Sequence, residues 1–244
     1  MNTFLVAILL GFWSGFAMVM NLSGIGIRTP LLCGVVAGIV IGDVDLGFKI
    51  GSTCLLMSIG FYTYGGATIP DYVTGAIFGT VVAKETGSYD AGLTVAVALS
   101  LLMTQMDILG RASTTVFQHL ADAALAKNSI SKFEMWTIAG TLPWILSRAV
   151  PVFVGLLMID SVTDIANFAT SIKWVSDGLA VVGRALPAVG FALLLSYMDL
   201  KKFWPFMVVG FVLFAYVGVG TIGLALIGAA AGALYTTVGG AHNG

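Results

Sequence analysis

Three polar side chains lie within largely apolar stretches of this sequence: Asp71, Gln105 and Asp107. Carboxylate and amide groups in such surroundings can hydrogen-bond the hydroxyl groups of a small polar ligand. Asp71 has a second role open to it, because an Asp directly before a helix caps that helix through its first-turn N–H groups. Asp107 has one as well, since Arg111 follows at the i+4 position and can pair with it. The sequence leaves ligand binding and a structural role open for both residues.

Trp144 and Arg148 are also four residues apart, which places them on one face of a helix. A Trp ring beside hydrogen-bond donors suits the ring of a sugar. The same pair is equally typical of an anchor at a membrane–water interface. Thr53 is a further candidate for ligand contact, although its hydroxyl can instead bond to nearby backbone.

The segment 116–124 predicts an amphipathic helix, in which His119 and Asp122 are three residues apart. Lys127 and Lys132 follow it, and an excess of positive charge favours the cytoplasmic side of a membrane. On the cytoplasmic side, His119 and Asp122 would orient an incoming protein or couple to its phosphohistidine. Alternatively, it is a hydrogen-bonded pair on the helix surface.

No catalytic, metal-binding or cofactor-binding motif occurs in the sequence. A phosphate-binding Gly-Lys-Ser/Thr loop and a zinc-binding helix pattern are both missing. With two histidines and scattered serines, the sequence gives no support for a catalytic triad. Cys33 and Cys54 lie in apolar runs and do not have the spacing of metal ligands. We therefore expect a carrier or channel body with no catalytic residue, no metal and no cofactor.

The scarcity of charge predicts an integral membrane protein. Only 9% of the 244 residues are charged, 58% are hydrophobic, and the mean hydropathy is +1.00. A soluble domain carries about 25% charged residues, because its surface faces water. We therefore expect a lipid bilayer to surround most of the chain. The net charge of −1 also argues against a basic surface that binds nucleic acid.

The apolar segments predict an all-α, multi-pass helical bundle, with residues 1–244 as a single transmembrane domain. The clearest spans are 3–22, 91–110, 135–159 and 179–198. The shorter apolar runs are 31–42, 46–62, 67–83, 203–217 and 219–238. Several of these are too short for about 30 Å of hydrocarbon at about 1.5 Å per residue. They predict broken or re-entrant hairpin segments, the alternative being ordinary spans that are strongly tilted or bent.

Glycines recur four residues apart and predict close helix–helix contacts. The clearest example is Gly34, Gly38 and Gly42. The same spacing occurs at 11/15, 47/51, 75/79 and 228/232. Without side chains at these positions, neighbouring backbones can approach closely.

Three stretches resemble the IIC membrane subunit of the mannose–fructose–sorbose type in the bacterial sugar phosphotransferase system (PTS). They are 29–43, 50–71 and 117–124, the last containing Phe-Gln-His-Leu-Ala-Asp-Ala-Ala. The resemblance implies re-entrant hairpins in a mobile core, a IID membrane partner, an oligomer of IIC–IID units and a place in the bacterial cytoplasmic membrane. It also implies that cytoplasmic IIA and IIB relay phosphate from phosphoenolpyruvate, so that IIB phosphorylates the sugar and the IIC chain accepts no phosphoryl group.

The chain departs from the family pattern at two places. Where the family commonly has Gly-Gly-Thr-x-Glu, this sequence reads Gly-Ser-Thr-Cys-Leu and ends at Leu55. The family's Arg-Pro pair is separated here by Thr29, as Arg-Thr-Pro. Either the sugar differs from mannose, or another carboxylate such as Asp71 or Asp107 replaces the missing one.

The sequence thus predicts a PTS subunit that translocates a hexose or amino sugar. The substrate-binding candidates are Asp71, Gln105, Asp107, Thr53, Trp144 and Arg148, and the partner-facing candidates are His119 and Asp122. One alternative is a non-phosphorylating, proton-coupled transporter with Asp107 as the proton carrier. Another is a membrane receptor or docking scaffold.

Overall fold

A computed structural model describes residues 2–61 and 69–240 of the chain. Within these residues the structure is built from α-helices and contains no β-strand. The helices are α1 (Thr3–Leu22), α2 (Pro30–Ile41), α3 (Val44–Ser58), α4 (Tyr72–Thr86), α5 (Tyr89–Ala126), α6 (Ile130–Ala139), α7 (Leu142–Leu157), α8 (Ile159–Ser171), α9 (Lys173–Ser196), α10 (Leu200–Ala215) and α11 (Thr221–Gly240). The prediction of an all-helical, multi-pass protein is confirmed.

Among the described residues, three helical segments are long and apolar enough to cross a membrane: Thr3–Leu22, Tyr89–Ala126 and Ile130–Leu157. The first matches the predicted span 3–22. The second is longer than predicted, because the expected amphipathic segment 116–124 continues the same helix without a break. The third contains a break near Gly140, so the predicted span 135–159 is divided between α6 and α7.

Two of the predicted short segments form a helical hairpin, α2–α3. The two helices have 12 and 15 residues, which at about 1.5 Å per residue is too short for either to span the hydrocarbon alone. Asp43 begins α3 by accepting a hydrogen bond from the N–H of Leu46, and Gly42 ends α2 with a left-handed φ of 73°. The hairpin turn therefore consists of a C-terminal glycine followed directly by an N-terminal Asp cap.

Glycines allow the two arms of this hairpin to touch. A Cβ added to Gly34 would lie 2.5 Å from the carbonyl oxygen of Gly47, and one added to Gly38 would lie 2.7 Å from that of Asp43. Real Cβ atoms do not approach so closely, so the predicted close approach is confirmed at these positions. Gly42 belongs to the turn instead of the contact face.

The chain divides into two compact units, Met1–Leu194 and Leu195–Gly244. In the first unit, α4 packs on α5, α1 packs on α7, and the α2–α3 hairpin packs on α4. Its buried core includes Leu10, Ile77, Val152 and Leu156. In the second unit, α10 and α11 lie beside an apolar groove of about 390 Å³. An added Cβ at Gly228 or Gly232 would meet no atom of the described residues within 4 Å, so the described residues show no close contact at these two positions.

Candidate functional site

A cavity of about 390 Å³ lies in the first unit, among the C-terminal end of α1, the α1–α2 loop and helices α3, α4, α5 and α7. The charged residues that line it are Arg28, Asp71, Asp107, Arg111 and Arg148. Its other polar and aromatic lining residues include Asn21, Ser58, Phe61, Tyr72 and Trp144. In a chain with so few charges, five at one cavity mark it as the candidate site.

Asp71 is positioned by the start of α4. It is the residue before the helix, and its carboxylate accepts hydrogen bonds from the Thr74 N–H at 3.3 Å and the Thr74 hydroxyl at 3.0 Å. Its own N–H donates to the carbonyl oxygen of Ser100 on α5 at 2.9 Å. The predicted capping role is confirmed, and the same carboxylate also lines the cavity.

Two arginines approach the Asp71 carboxylate from other parts of the chain. Arg28, in the loop before α2, donates from Nη2 to Asp71 Oδ2 at 2.6 Å. The Nε of Arg148, on α7, lies 2.9 Å from the same oxygen. Asp71 is 6% exposed and Arg148 is 3% exposed, so these charges are almost fully removed from water. Buried charges are tolerated only where partners offset their desolvation.

Asp107 is the second carboxylate of the network. Arg111, one turn later on α5, donates from Nε to Asp107 Oδ2 at 2.8 Å, which confirms the predicted i, i+4 pair. From α7, Arg148 Nη2 donates to Asp107 Oδ1 at 2.5 Å. Arg148 therefore joins Asp71 and Asp107, and through them α4 and α5.

The first two turns of α7 place Trp144 and Arg148 one above the other. Pro143 lies in the first turn, where the missing N–H of proline has no helical partner to lose. The guanidinium of Arg111 lies 5.4 Å from the centre of the Trp144 ring, in cation–π geometry. One face of the ring predicted to meet a sugar thus lies against Arg111. Arg148 is buried in the ion-pair network and is not an exposed interfacial anchor.

The model of the family described as PTS system sorbose-specific IIC component matches residues 4–234. The chain belongs to this family. It is therefore a IIC subunit of the mannose/sorbose type of sugar phosphotransferase transport system, and the resemblance seen in the sequence is confirmed. Residues 62–68, in the second of the three resembling stretches, lie outside the described residues.

Curated relatives cover most of this IIC chain. It is 27% identical over 216 residues to the mannose-specific EIIC component of Escherichia coli K12, which covers 88% of this chain and 81% of the relative. It is 28% identical over 211 residues to the fructose permease IIC component of Bacillus subtilis, covering 86% and 78%. The sorbose-specific EIIC component of Klebsiella pneumoniae is 28% identical over 207 residues, covering 81% and 77%.

Solved structures share the fold. A chain described as a membrane protein superposes with a TM-score of 0.83 at 24% identity, over 96% of this IIC chain and 95% of the other. A chain of the complex between the mannose transporter ManYZ and microcin E492 has a TM-score of 0.60 at 24% identity, over 96% and 94%. At this identity both comparisons support the fold and carry no residue roles.

Thr53 lies in a second, more open cavity of this IIC subunit, of about 790 Å³. Its hydroxyl donates to the carbonyl oxygen of Lys49 at 3.0 Å and lies 2.7 Å from the Tyr89 hydroxyl. Beside it, Lys84 donates to Asp43 at 3.0 Å. That hydrogen bond, together with one from the Leu46 N–H, lowers the pKa of Asp43 below its usual range. The structure thus separates Thr53 from the five charged residues of the first cavity.

The remaining predicted residues lie on the surface of the IIC chain. Gln105 is exposed and does not line the cavity that holds Asp107. Two residues apart on a helix with about 3.6 residues per turn point to nearly opposite sides, so both cannot face one cavity. His119 and Asp122 are exposed on the C-terminal half of α5, where a partner can reach them.

Sequence reasoning missed Arg28 as a site residue. It is 43 residues from its partner Asp71 and lies in a loop, where helical periodicity gives no information. The only signal was its position next to Thr29 and Pro30, in the motif that departs from the family's Arg-Pro pair. Tyr72, also buried and lining the cavity, could not be distinguished from an ordinary core aromatic residue.

Proposed function

We propose that this chain is the sugar-translocating subunit of a bacterial PTS, and that the cavity containing Asp71, Asp107 and Arg148 binds the sugar. The supporting observation is the ion-pair network itself. It brings two carboxylates and three guanidinium groups to one cavity of a chain that has few charged residues. Such groups can hydrogen-bond several hydroxyls of one sugar, and leaving them unpaired costs about 1–3 kcal/mol each.

The proposed complex contains further subunits. A IID chain pairs with this IIC chain in the bacterial cytoplasmic membrane. IIC–IID units form an oligomer, and phosphorylated IIB, recharged by IIA, phosphorylates the sugar on entry. Residues 1–244 act as one transport domain, because the family match at 4–234 crosses both compact units. His119 and Asp122 are the proposed contact with the cytoplasmic subunits.

The other predicted site residues have separate roles in this proposal. Trp144 supports the cavity through its contact with Arg111. Thr53 belongs to the second cavity and contacts the sugar only at another stage of translocation. Gln105, which is exposed, is not given a sugar contact. No observation favours the proton-coupled alternative, since both carboxylates of the cavity are ion-paired in the structure.

Sugar uptake by reconstituted vesicles tests the proposal. The IIC chain is purified with its IID partner and inserted into vesicles that contain IIA, IIB, the general PTS phosphocarriers and phosphoenolpyruvate. We expect saturable uptake of a labelled sugar, which is recovered inside as the sugar phosphate. Uptake of unmodified sugar that ignores phosphoenolpyruvate and follows a proton gradient would favour the alternative. A complex that neither binds nor admits any sugar would refute the proposal.

A further inference from the structure

The charges at the first cavity do not balance. Its lining contains three guanidinium groups and two carboxylates, so one positive charge has no acidic counterpart among the described lining residues. Residues 62–68, which fall between the lining residues Phe61 and Ile69 in the chain, have no charged side chain in their sequence. An Arg side chain is always protonated, so this charge cannot be lost by deprotonation.

The charged groups of the cavity also have more hydrogen-bond donors than acceptors. Three guanidinium groups supply roughly fifteen N–H donors, whereas two carboxylates offer roughly eight acceptor positions. Each carboxylate already lies against two arginines. Asp71 additionally accepts from the N–H and the hydroxyl of Thr74, which leaves it less capacity for the arginines.

Arg148 shows the excess at a single atom. Its Nε lies 2.9 Å from Asp71 Oδ2 as part of an ion pair, but it makes no hydrogen bond to that oxygen. This buried donor therefore has no acceptor among the described residues. Arg148 is 3% exposed and lines the cavity, so an acceptor for this N–H has to come from within the cavity. A buried donor without an acceptor is unfavourable, and a ligand in the cavity can provide the acceptor.

The cavity matches a ligand that carries one negative charge and several hydroxyls. A carboxylate offers a guanidinium two parallel acceptors and one compensating charge. Asn21, Ser58 and Tyr72 line the same cavity and can bond to hydroxyl groups. Its volume of about 390 Å³ is within the range of small-molecule sites, which starts near 300 Å³.

We infer that the preferred substrate of this cavity is a sugar acid, a monosaccharide with one carboxylate such as a hexuronate or an aldonate, and not a neutral hexose. The inference rests on the proposed sugar-transport function. The carboxylate is placed against Arg148 and Arg111, and the hydroxyls bond to the other polar side chains of the lining. A sugar phosphate would bring about two negative charges, one more than the cavity lacks.

Binding to the purified IIC–IID complex tests this inference. The probes are glucuronate, galacturonate and gluconate, each compared with the corresponding neutral hexose and its 6-phosphate by calorimetry. We expect at least one sugar acid to bind about tenfold or more tightly than its neutral counterpart, which corresponds to about 1.4 kcal/mol. A complex that binds neutral hexoses and ignores the acids overturns the inference while leaving the proposed function intact. Tighter binding of a hexose phosphate overturns it as well.

The variant Arg111→Gln separates charge matching from a purely structural role. Arg111 is the most exposed of the five charged residues, with 36% of its side chain accessible, so the variant should fold. It removes the excess positive charge, and we expect the preference for the acid over the neutral sugar to fall about tenfold or more. Lys127→Gln, an exposed change outside the cavity, is the matched control and should leave the preference unchanged. An unchanged preference in Arg111→Gln refutes the inference. If the unaltered IIC–IID complex binds neither a sugar acid nor a neutral sugar, both this inference and the proposed function are refuted.

Discussion

Arg148 on α7 donates a hydrogen bond of 2.5 Å to Asp107 on α5, although the two residues are 41 positions apart in the sequence. The same guanidinium reaches Asp71 at the start of α4. One buried side chain thus joins three helices of the first unit at the wall of its cavity. The charges that shape the candidate site also hold together the elements that form it.

Replacing Arg148 should destabilise the first unit. Arg148→Met removes a buried partner from both carboxylates, and breaking a buried pair costs about 3–5 kcal/mol. We expect a loss of about 3 kcal/mol, because Arg28 still faces Asp71 and Arg111 still faces Asp107. Thermal unfolding of the detergent-solubilised chain measures the loss.

A double variant tests whether Arg148 and Asp107 stabilise the first unit as a pair. The double variant Arg148→Met, Asp107→Leu removes one of the stranded carboxylates along with the arginine, so part of the lost stability should return. If the double variant is less stable than Arg148→Met by the full cost of a second independent change, the two residues do not act as a pair.

Asp71→Asn tests the carboxylate of the site without removing the helix cap. Asn caps helices about as well as Asp, so the start of α4 should be preserved. The loss of a charged hydrogen-bonding group should weaken sugar binding or uptake by about 1.5–3 kcal/mol, roughly 10- to 100-fold. Gln105→Ala, an exposed change on α5, is the matched control. Normal uptake by Asp71→Asn would remove Asp71 from the sugar site.

The α2–α3 hairpin should not tolerate a methyl group between its arms. In Gly34→Ala the new Cβ would meet the carbonyl of Gly47, so the helices must separate, at a cost of about 1–3 kcal/mol. Gly228→Ala makes the same change in α11, where the added Cβ meets no described atom within 4 Å. It should be neutral or slightly stabilising, because Ala favours helix more than Gly. Equal loss of stability in both variants would contradict this packing.

The Asp43–Lys84 pair predicts a loss of stability in acid. The folded-state pKa of Asp43 is below its ordinary value of 3.8, so its contribution is present above that pH and is lost as the pH falls through the lowered pKa. Thermal unfolding between pH 6 and acid, compared for the natural chain and Asp43→Asn, measures it; the variant should show a weaker decline. Identical declines in the two proteins would show that Asp43 titrates with its unperturbed pKa.

The exposed histidine of α5 should affect phosphorylation without affecting sugar binding. His119→Ala is expected to slow the transfer from phosphorylated IIB to the sugar several-fold, because the proposed docking contact is lost. Calorimetric sugar affinity should remain unchanged, since His119 is outside the cavity. Thr137→Ala, an exposed position on α6, serves for comparison. A normal phosphorylation rate in His119→Ala would remove it from the docking surface.

The sequence by itself determined the class of protein, the helical fold and the family, since hydropathy and short motifs depend on composition and local order. It also offered the local contacts, the Asp107–Arg111 pair and the cap at Asp71, each as one of two alternatives. The spacing of the glycines indicated that Gly34 lies on a face of close helix contact, without naming its partner. The amphipathic pattern of residues 116–124 predicts a helix, but nothing in that pattern shows that it continues the span before it as one helix, α5.

Only the tertiary structure decided which polar residues share a cavity. It joined Arg28 to Asp71 and Arg148 to both carboxylates, and it placed Gln105 and Thr53 elsewhere. The spacing of residues within a helix fixes which side of that helix they share. The packing angle and rotation of one helix against another are set by the many side chains between them, so a pair more than 40 positions apart in sequence, such as Asp107 and Arg148, becomes apparent only when the helices are assembled.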